Sequence, residues 1–232
     1  MKKSSLLDTY SKVNKSDEDR RENDFYPSPP LSVYSLIKKY PDIPKRILEP
    51  CSGCGDISYE LARNGFLVTS TDLHKYDNTY VNVQSGVDYM TQPKLQGVDG
   101  VITNPPYHKD LAFRMLEKSV KDYDFTAFLL RITFLEGKRR HDFFKENPPT
   151  KVLVFSDRLG FSKDRSLDFF MNRQNKGMIC YAFFIWDSNS KVKNEVDWVL
   201  ASDYYQEWKD SLDEKWYRDI LGDIPNNITN YV

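Results

Sequence analysis

Val98-Asp99-Gly100-Val101-Ile102-Thr103 runs directly into Asn104-Pro105-Pro106-Tyr107. The first six residues have the β-branched content and the length of a buried strand. Two consecutive prolines cannot extend a sheet ladder, so the tetrapeptide falls just beyond the strand's C-terminal end. In an open α/β sheet that edge is where ligands bind.

Two further strand-to-turn junctions lie upstream. Arg46-Ile47-Leu48-Glu49 reads as a short buried strand entering Pro50-Cys51-Ser52-Gly53-Cys54-Gly55-Asp56, and residues 57–64 carry the apolar spacing of a core-facing helix closed by Gly65. Strand, glycine turn and helix bring backbone amides and a positive helix end against a cofactor. Ser58 stands where a third glycine would complete the Gly-x-Gly-x-x-Gly of dinucleotide sites, which weakens a nicotinamide reading. Residues 66–71 form the next strand and end at Asp72-Leu73, where the acid can accept both hydroxyls of a ribose or cap a helix. A shorter extended piece over residues 80–83 precedes Asp88-Tyr89, a carboxylate and ring suited to an adenine amino group and its plane. Cys51 and Cys54 form a Cys-x-x-Cys at a helix start, but Cys180, His74, His108 and His141 show no paired spacing for a metal.

The tetrapeptide suits methyl transfer to an exocyclic amine. The lone pair of such an amine is delocalised into its ring, and two acceptors holding its hydrogens favour a pyramidal, nucleophilic nitrogen. The Asn104 side-chain carbonyl and the Pro105 main-chain carbonyl are the candidates, with Pro106 completing the turn and Tyr107 offering a face for an unstacked base. An ordinary strand-to-helix turn uses the same residue types.

Fifteen Tyr, fourteen Phe and four Trp in 232 residues exceed what disorder would give, so most of the chain is expected to fold. The longest apolar stretch, residues 178–186, is too short to span a bilayer, and Met1-Lys2-Lys3 leads into polar residues rather than a targeting segment. Three unevenly spaced cysteines point to a reducing cytoplasm. The net charge of −1 hides an asymmetry: residues 131–176 hold eleven Lys or Arg against six Asp or Glu, whereas residues 187–232 hold five against ten. A polyanion is therefore expected at the middle segment. Its candidate contacts are Lys138, Arg139 and Arg140 on a basic helix beginning near Phe134, and Arg158, Lys163, Arg165, Arg173 and Lys176 in an aromatic-rich loop over residues 156–177. Residues 1–24 read as a polar arm, residues 25–187 as the main domain, and residues 188–232 as an acidic tail of one or two helices.

In combination these residues resemble the S-adenosylmethionine-dependent amino-methyltransferases that act on DNA adenine, in particular the small phage and prophage type. Tyr26-Pro27-Ser28-Pro29 resembles the family's N-terminal cofactor motif, Glu49 to Gly55 its glycine loop, Asp72 its ribose acid, Asp88-Tyr89 its adenine contact and Asn104 to Tyr107 its catalytic tetrapeptide. Residues 134–137 and 181–186 also resemble phage members. The resemblance implies a Rossmann-like α/β fold, a class I methyltransferase with a seven-stranded mixed sheet, helices on both faces and an antiparallel last strand. It implies S-adenosylmethionine as cofactor, DNA as partner, and neither membrane nor metal. Cofactor contacts are then expected at Tyr26, Ser28, Pro29, Glu49, Cys51, Ser52, Gly53, Gly55, Asp72, Leu73, Asp88 and Tyr89. RNA and the glutamine amide of a release factor are alternative substrates for the same chemistry, and a non-catalytic nucleic-acid-binding module is an alternative from another class. The 24 residues before Phe25 are too few for the helical domain that glutamine enzymes generally carry.

Overall fold

The computed structural model describes residues 26–77, 79–161 and 179–212. The polar arm over residues 1–24, the basic loop positions Lys163, Arg165, Arg173 and Lys176, and the tail beyond residue 212 lie outside the described residues.

In chain order the elements are α1 (Pro30–Lys39), β1 (Arg46–Glu49), α2 (Asp56–Arg63), β2 (Leu67–Asp72), β3 (Gln84–Ser85), β4 (Gly100–Thr103), α3 (Leu111–Asp122), β5 (Phe125–Arg131), α4 (Lys138–Glu146), β6 (Lys151–Phe155), β7 (Tyr181–Asp187), β8 (Glu195–Val199) and α5 (Tyr205–Asp210). The strands make one sheet in the order β3-β2-β1-β4-β5-β7-β6-β8. β7 runs antiparallel to both its neighbours, and the other pairings are parallel.

Burial on both faces explains the continuous apolar strands. Along β5, Phe125, Ala127 and Leu129 enter a core with Val33 and Leu36 of α1, Ile57 and Leu61 of α2 and Trp208 of α5. Phe128 and Leu130 enter the opposite core with Ala112, Met115 and Leu116 of α3, against which Phe143 and Phe144 of α4 pack. The period of two therefore assigns one strand to two helical layers.

Three expectations change. Among the described residues the sheet has eight strands instead of seven: Glu195–Val199, expected within a helical tail, pairs parallel with β6. Its alternation of Glu195, Val196, Asp197, Trp198 and Val199 is a strand period, and the open edge of β6 selects it over a helix. The fold thus continues past Asp187 through β8 to a short helix anchored by Trp208, whose indole N–H donates to Glu60 Oε2 at 3.1 Å. The extended piece expected at residues 80–83 is displaced to the two-residue β3. The basic helix starts at Lys138, because Ile132–Leu135 forms a separate 3₁₀ turn.

Candidate functional site

Strand order reverses between β1 and β4, and at such a crossing the loops leaving the two strands diverge and open a crevice. The glycine turn leaves β1, Asp72 ends β2 and Asn104 follows β4, so adjacent strands place all three at one rim. A cavity of about 740 Å³ opens there. Its wall includes Tyr26, Ser28, Glu49, Cys51, Ser52, Gly53, Asp72, Leu73, Asp88, Tyr89 and the whole of Asn104 to Tyr107. Two of the expected cofactor residues do not line it. Pro29 caps α1, its carbonyl accepting from the Ser32 amide at 2.9 Å, and Gly55 caps α2.

Gly55 adopts φ +92°, and a Cβ there would lie 2.6 Å from Val81 Cγ2. Only glycine allows the turn to close this tightly. Gly53 donates its amide to Asp72 Oδ2 at 2.8 Å, and His74 donates to Asp72 Oδ1 at 2.8 Å. Asp72 is thereby fixed, and each oxygen keeps acceptor capacity for a further donor. Burial raises its carboxyl above the ordinary range, opposed by the His74 and Gly53 amides. Glu49 is folded inward. Its Oε2 accepts from the Ser58 amide at 2.8 Å, from the Ser52 hydroxyl at 3.2 Å and from the Ser58 hydroxyl, tying β1 to the start of α2. Burial pushes the Glu49 carboxyl up to about 8.

Asn104 is held from one side. Its Nδ2 donates to Ser28 Oγ at 3.1 Å and to the Tyr26 carbonyl at 3.4 Å, while its Oδ1 is buried with no hydrogen-bond partner. An orphaned buried acceptor is costly, about 1–3 kcal/mol, and Thr71 Oγ1 in β2 and Thr103 Oγ1 at the end of β4 are buried without a partner as well. Tyr107 donates its hydroxyl to the Leu129 carbonyl at 3.2 Å, and the Arg131 guanidinium lies 4.8 Å from its ring centroid. Tyr89 is buried, with its hydroxyl 2.8 Å from Ser119 Oγ, so its ring and not its hydroxyl serves the cavity. Asp88 accepts from the Met90 amide at 2.9 Å.

His74, Tyr76, His108, Leu111 and Met115 also line the cavity and were not among the expected site residues. Leu111 and Met115 are four apart at the start of α3, a spacing that reads as core but here closes the wall behind the tetrapeptide. Burial holds the Cys51 thiol well above its usual range, which keeps it neutral and counts against a redox role. Among the described residues no group of three or more His, Cys, Asp or Glu is placed to hold a metal ion. No helix among them is long and apolar enough to cross a membrane.

The basic segment divides. Arg139 pairs with Asp110, and Arg140 donates to the Phe134 carbonyl at 2.9 Å and to the Glu136 carbonyl, folding back on its own helix start. Arg158 donates to Cys180 Sγ at 2.7 Å. Lys138 instead lines a second cavity, of about 810 Å³, between α4 and the β6–β8 edge.

Comparison with known proteins places the fold. A Listeria monocytogenes protein classed as a class I S-adenosylmethionine-dependent methyltransferase superposes with a TM-score of 0.53 at 13% identity, covering 91% of this chain and 78% of its own. A Vibrio vulnificus protein classed as the modification subunit of a type I restriction enzyme superposes with a TM-score of 0.51 at 9% identity. That alignment covers 89% of this chain but 57% of the subunit. No protein-family model and no curated protein sequence matches the chain. The chain has the Rossmann-like fold of class I methyltransferases, with one strand added at the sheet edge.

Proposed function

We propose that this chain transfers a methyl group from S-adenosylmethionine to the N6 amino group of adenine in DNA. The observation that carries the reading is the Asn104 carboxamide, whose nitrogen is held by protein acceptors while its buried oxygen has no donor. The cavity's volume lies in the range of small-molecule sites. Its residues fit the cofactor: the spare acceptor capacity of Asp72 suits ribose hydroxyls, the Gly53 turn allows close backbone approach, and Asp88 with the Tyr89 ring suits an adenine. When bound, the cofactor supplies an electrophilic methyl on a sulfonium, which is already a good leaving group.

The chain's own residues do the remaining work. Asn104 Oδ1 and the Pro105 carbonyl would accept hydrogen bonds from the two amine hydrogens, withdraw the nitrogen lone pair from the ring and aim it for in-line attack, and the methylated amine then gives up its surplus proton to water. Tyr107, fixed through its hydroxyl and backed by Arg131, offers its ring to a base turned out of its stack. The fold shared with the Vibrio vulnificus modification subunit supports a nucleic-acid substrate, and Asn at the head of the tetrapeptide supports adenine through the family resemblance. Incubation with methyl-labelled cofactor and DNA, RNA or a glutamine-bearing peptide in parallel tests the assignment. Label on DNA alone supports it, whereas label on RNA or peptide alone moves the substrate class.

A further inference from the structure

We propose that Arg131 takes a backbone phosphate next to the target adenine and so holds the strand while the base enters the cavity. This deepens the methyl-transfer reading above and rests on it. A base that reaches Asn104 has to leave its stack, while its phosphates, costly to strip of water, remain at the opening. A group that receives one of them has to stand beside the cavity with its charge not already taken up by the protein.

Arg131 meets both conditions. It is the last residue of β5, which pairs with β4, the strand that leads into the tetrapeptide. Its guanidinium lies 4.8 Å from the Tyr107 ring centroid. Tyr107 lines the cavity and Arg131 does not, so the cation stands at the border of that space. The half-buried Arg131 has no ion pair or hydrogen bond among the described residues, and its Nε is buried without a partner. Its terminal nitrogens are not enclosed in the same way, and a guanidinium can bind a phosphate through two parallel N–H groups.

The cations that charge density singles out are occupied by comparison. Arg139 is paired with Asp110, Arg140 with the Phe134 and Glu136 carbonyls, and Arg158 with the Cys180 thiol. Arg46 and Arg63 are paired with Asp99 and Glu60. Arg114 likewise donates to no described residue, but it is exposed on α3, where water satisfies it. Arg131 is distinguished by having its Nε shielded from water while resting on a ring that the Leu129 carbonyl fixes through its hydroxyl. A cation ordered in this way gives up little freedom when an anion arrives.

A cycle between the side chain and the phosphate charge tests the contact. The probe is a short single DNA strand with one adenine among thymines, made with ordinary linkages or with neutral methylphosphonates on either side of the adenine. Its affinity is measured by fluorescence anisotropy for wild type, Arg131→Lys and Arg131→Met, with the demethylated cofactor present. On the ordinary strand Arg131→Met is expected to bind on the order of tenfold more weakly than wild type, the scale of a lost charge-assisted contact, with Arg131→Lys between them. On the neutral strand the three proteins are expected to agree within about twofold, because the contact is already gone. An equal cost on both strands overturns the proposal, since Arg131 would then act only by supporting Tyr107. Unchanged affinity in Arg131→Met, or failure of the wild type to bind the ordinary strand, overturns it as well. Cofactor affinity, read by calorimetry, is expected to be the same in all three proteins, and a loss in the variants would place Arg131 in the cofactor site instead. Transfer of label from the cofactor is scored separately: the expected cycle in a protein that labels no nucleic acid defeats the methyl-transfer reading and leaves the phosphate contact standing.

Discussion

The rim over β2, β1 and β4 and the region at α4 and β8 are both rich in polar side chains, but they differ in how those side chains are held. At the rim, Asp72, Glu49 and the Asn104 nitrogen are each fixed by named partners within the fold, and the Asn104 oxygen is left over. At α4, Arg139 and Arg140 are engaged by Asp110 and by main-chain carbonyls, α4 contributes no fully buried residue, and Val196 and Trp198 of β8 stand exposed. At this rim the surroundings fix the two acids and the carboxamide nitrogen and leave the carboxamide oxygen, with the Thr71 and Thr103 hydroxyls, without a partner. Local charge density does not identify such a site: in the most basic run of the middle segment Arg139 is paired with Asp110 and Arg140 holds the start of its own helix.

The sharpest way to break this contrast is to remove the Asn104 carboxamide. Asn104→Ala is expected to lower turnover by on the order of a thousandfold while changing cofactor affinity by less than about threefold, as read by kinetics and calorimetry. A comparable loss in both would make Asn104 part of the cofactor site. Gly55→Ala comes next, because the new Cβ meets Val81 in a turn with positive φ. A loss of about 1–3 kcal/mol is expected in urea unfolding, with cofactor affinity falling in parallel.

At Glu49 the contrast can be sharpened through pH. Burial lifts its carboxyl to about 8 from an ordinary value of 4.5, so between these limits the folded protein keeps a proton that the unfolded chain releases. Stability from this group is therefore greatest at low pH and declines as pH rises toward 8. Glu49→Gln is expected to flatten that decline in unfolding curves between about pH 5 and pH 8; parallel curves would show that the carboxyl does not titrate there. The smallest effects are expected at α4. Lys138→Ala should reduce the salt dependence of DNA affinity by about one ion, whereas Arg140→Ala should leave that slope unchanged and act on stability alone. Equal slopes for both variants would dissolve the distinction drawn between the two cations.

The rim was legible in the sequence because each part is local. An apolar strand that runs into the Pro50 to Gly55 turn, ends on Asp72 or meets Asn104 announces its own C-terminal end, and the parallel sheet brings those ends together. The eighth strand was not legible in the same way. Its five residues alternate acids with Val196 and Trp198 in an acidic setting, and only the edge of β6 decides their conformation. Long-range partners were equally hidden: nothing near Arg139 in sequence signals Asp110, and nothing near Asn104 signals Ser28. Leu111 and Met115 carried a correct helical signal, but their spacing does not tell a core face from a cavity wall.

The central claim concerns a single atom, the exocyclic nitrogen of adenine. Its most direct test is mass spectrometry of nucleosides from duplex DNA incubated with S-adenosylmethionine and either the wild-type protein or Asn104→Ala. The account predicts N6-methyldeoxyadenosine with the wild type and none above background with the variant. Methylation at cytosine, or the same yield from both proteins, would contradict it.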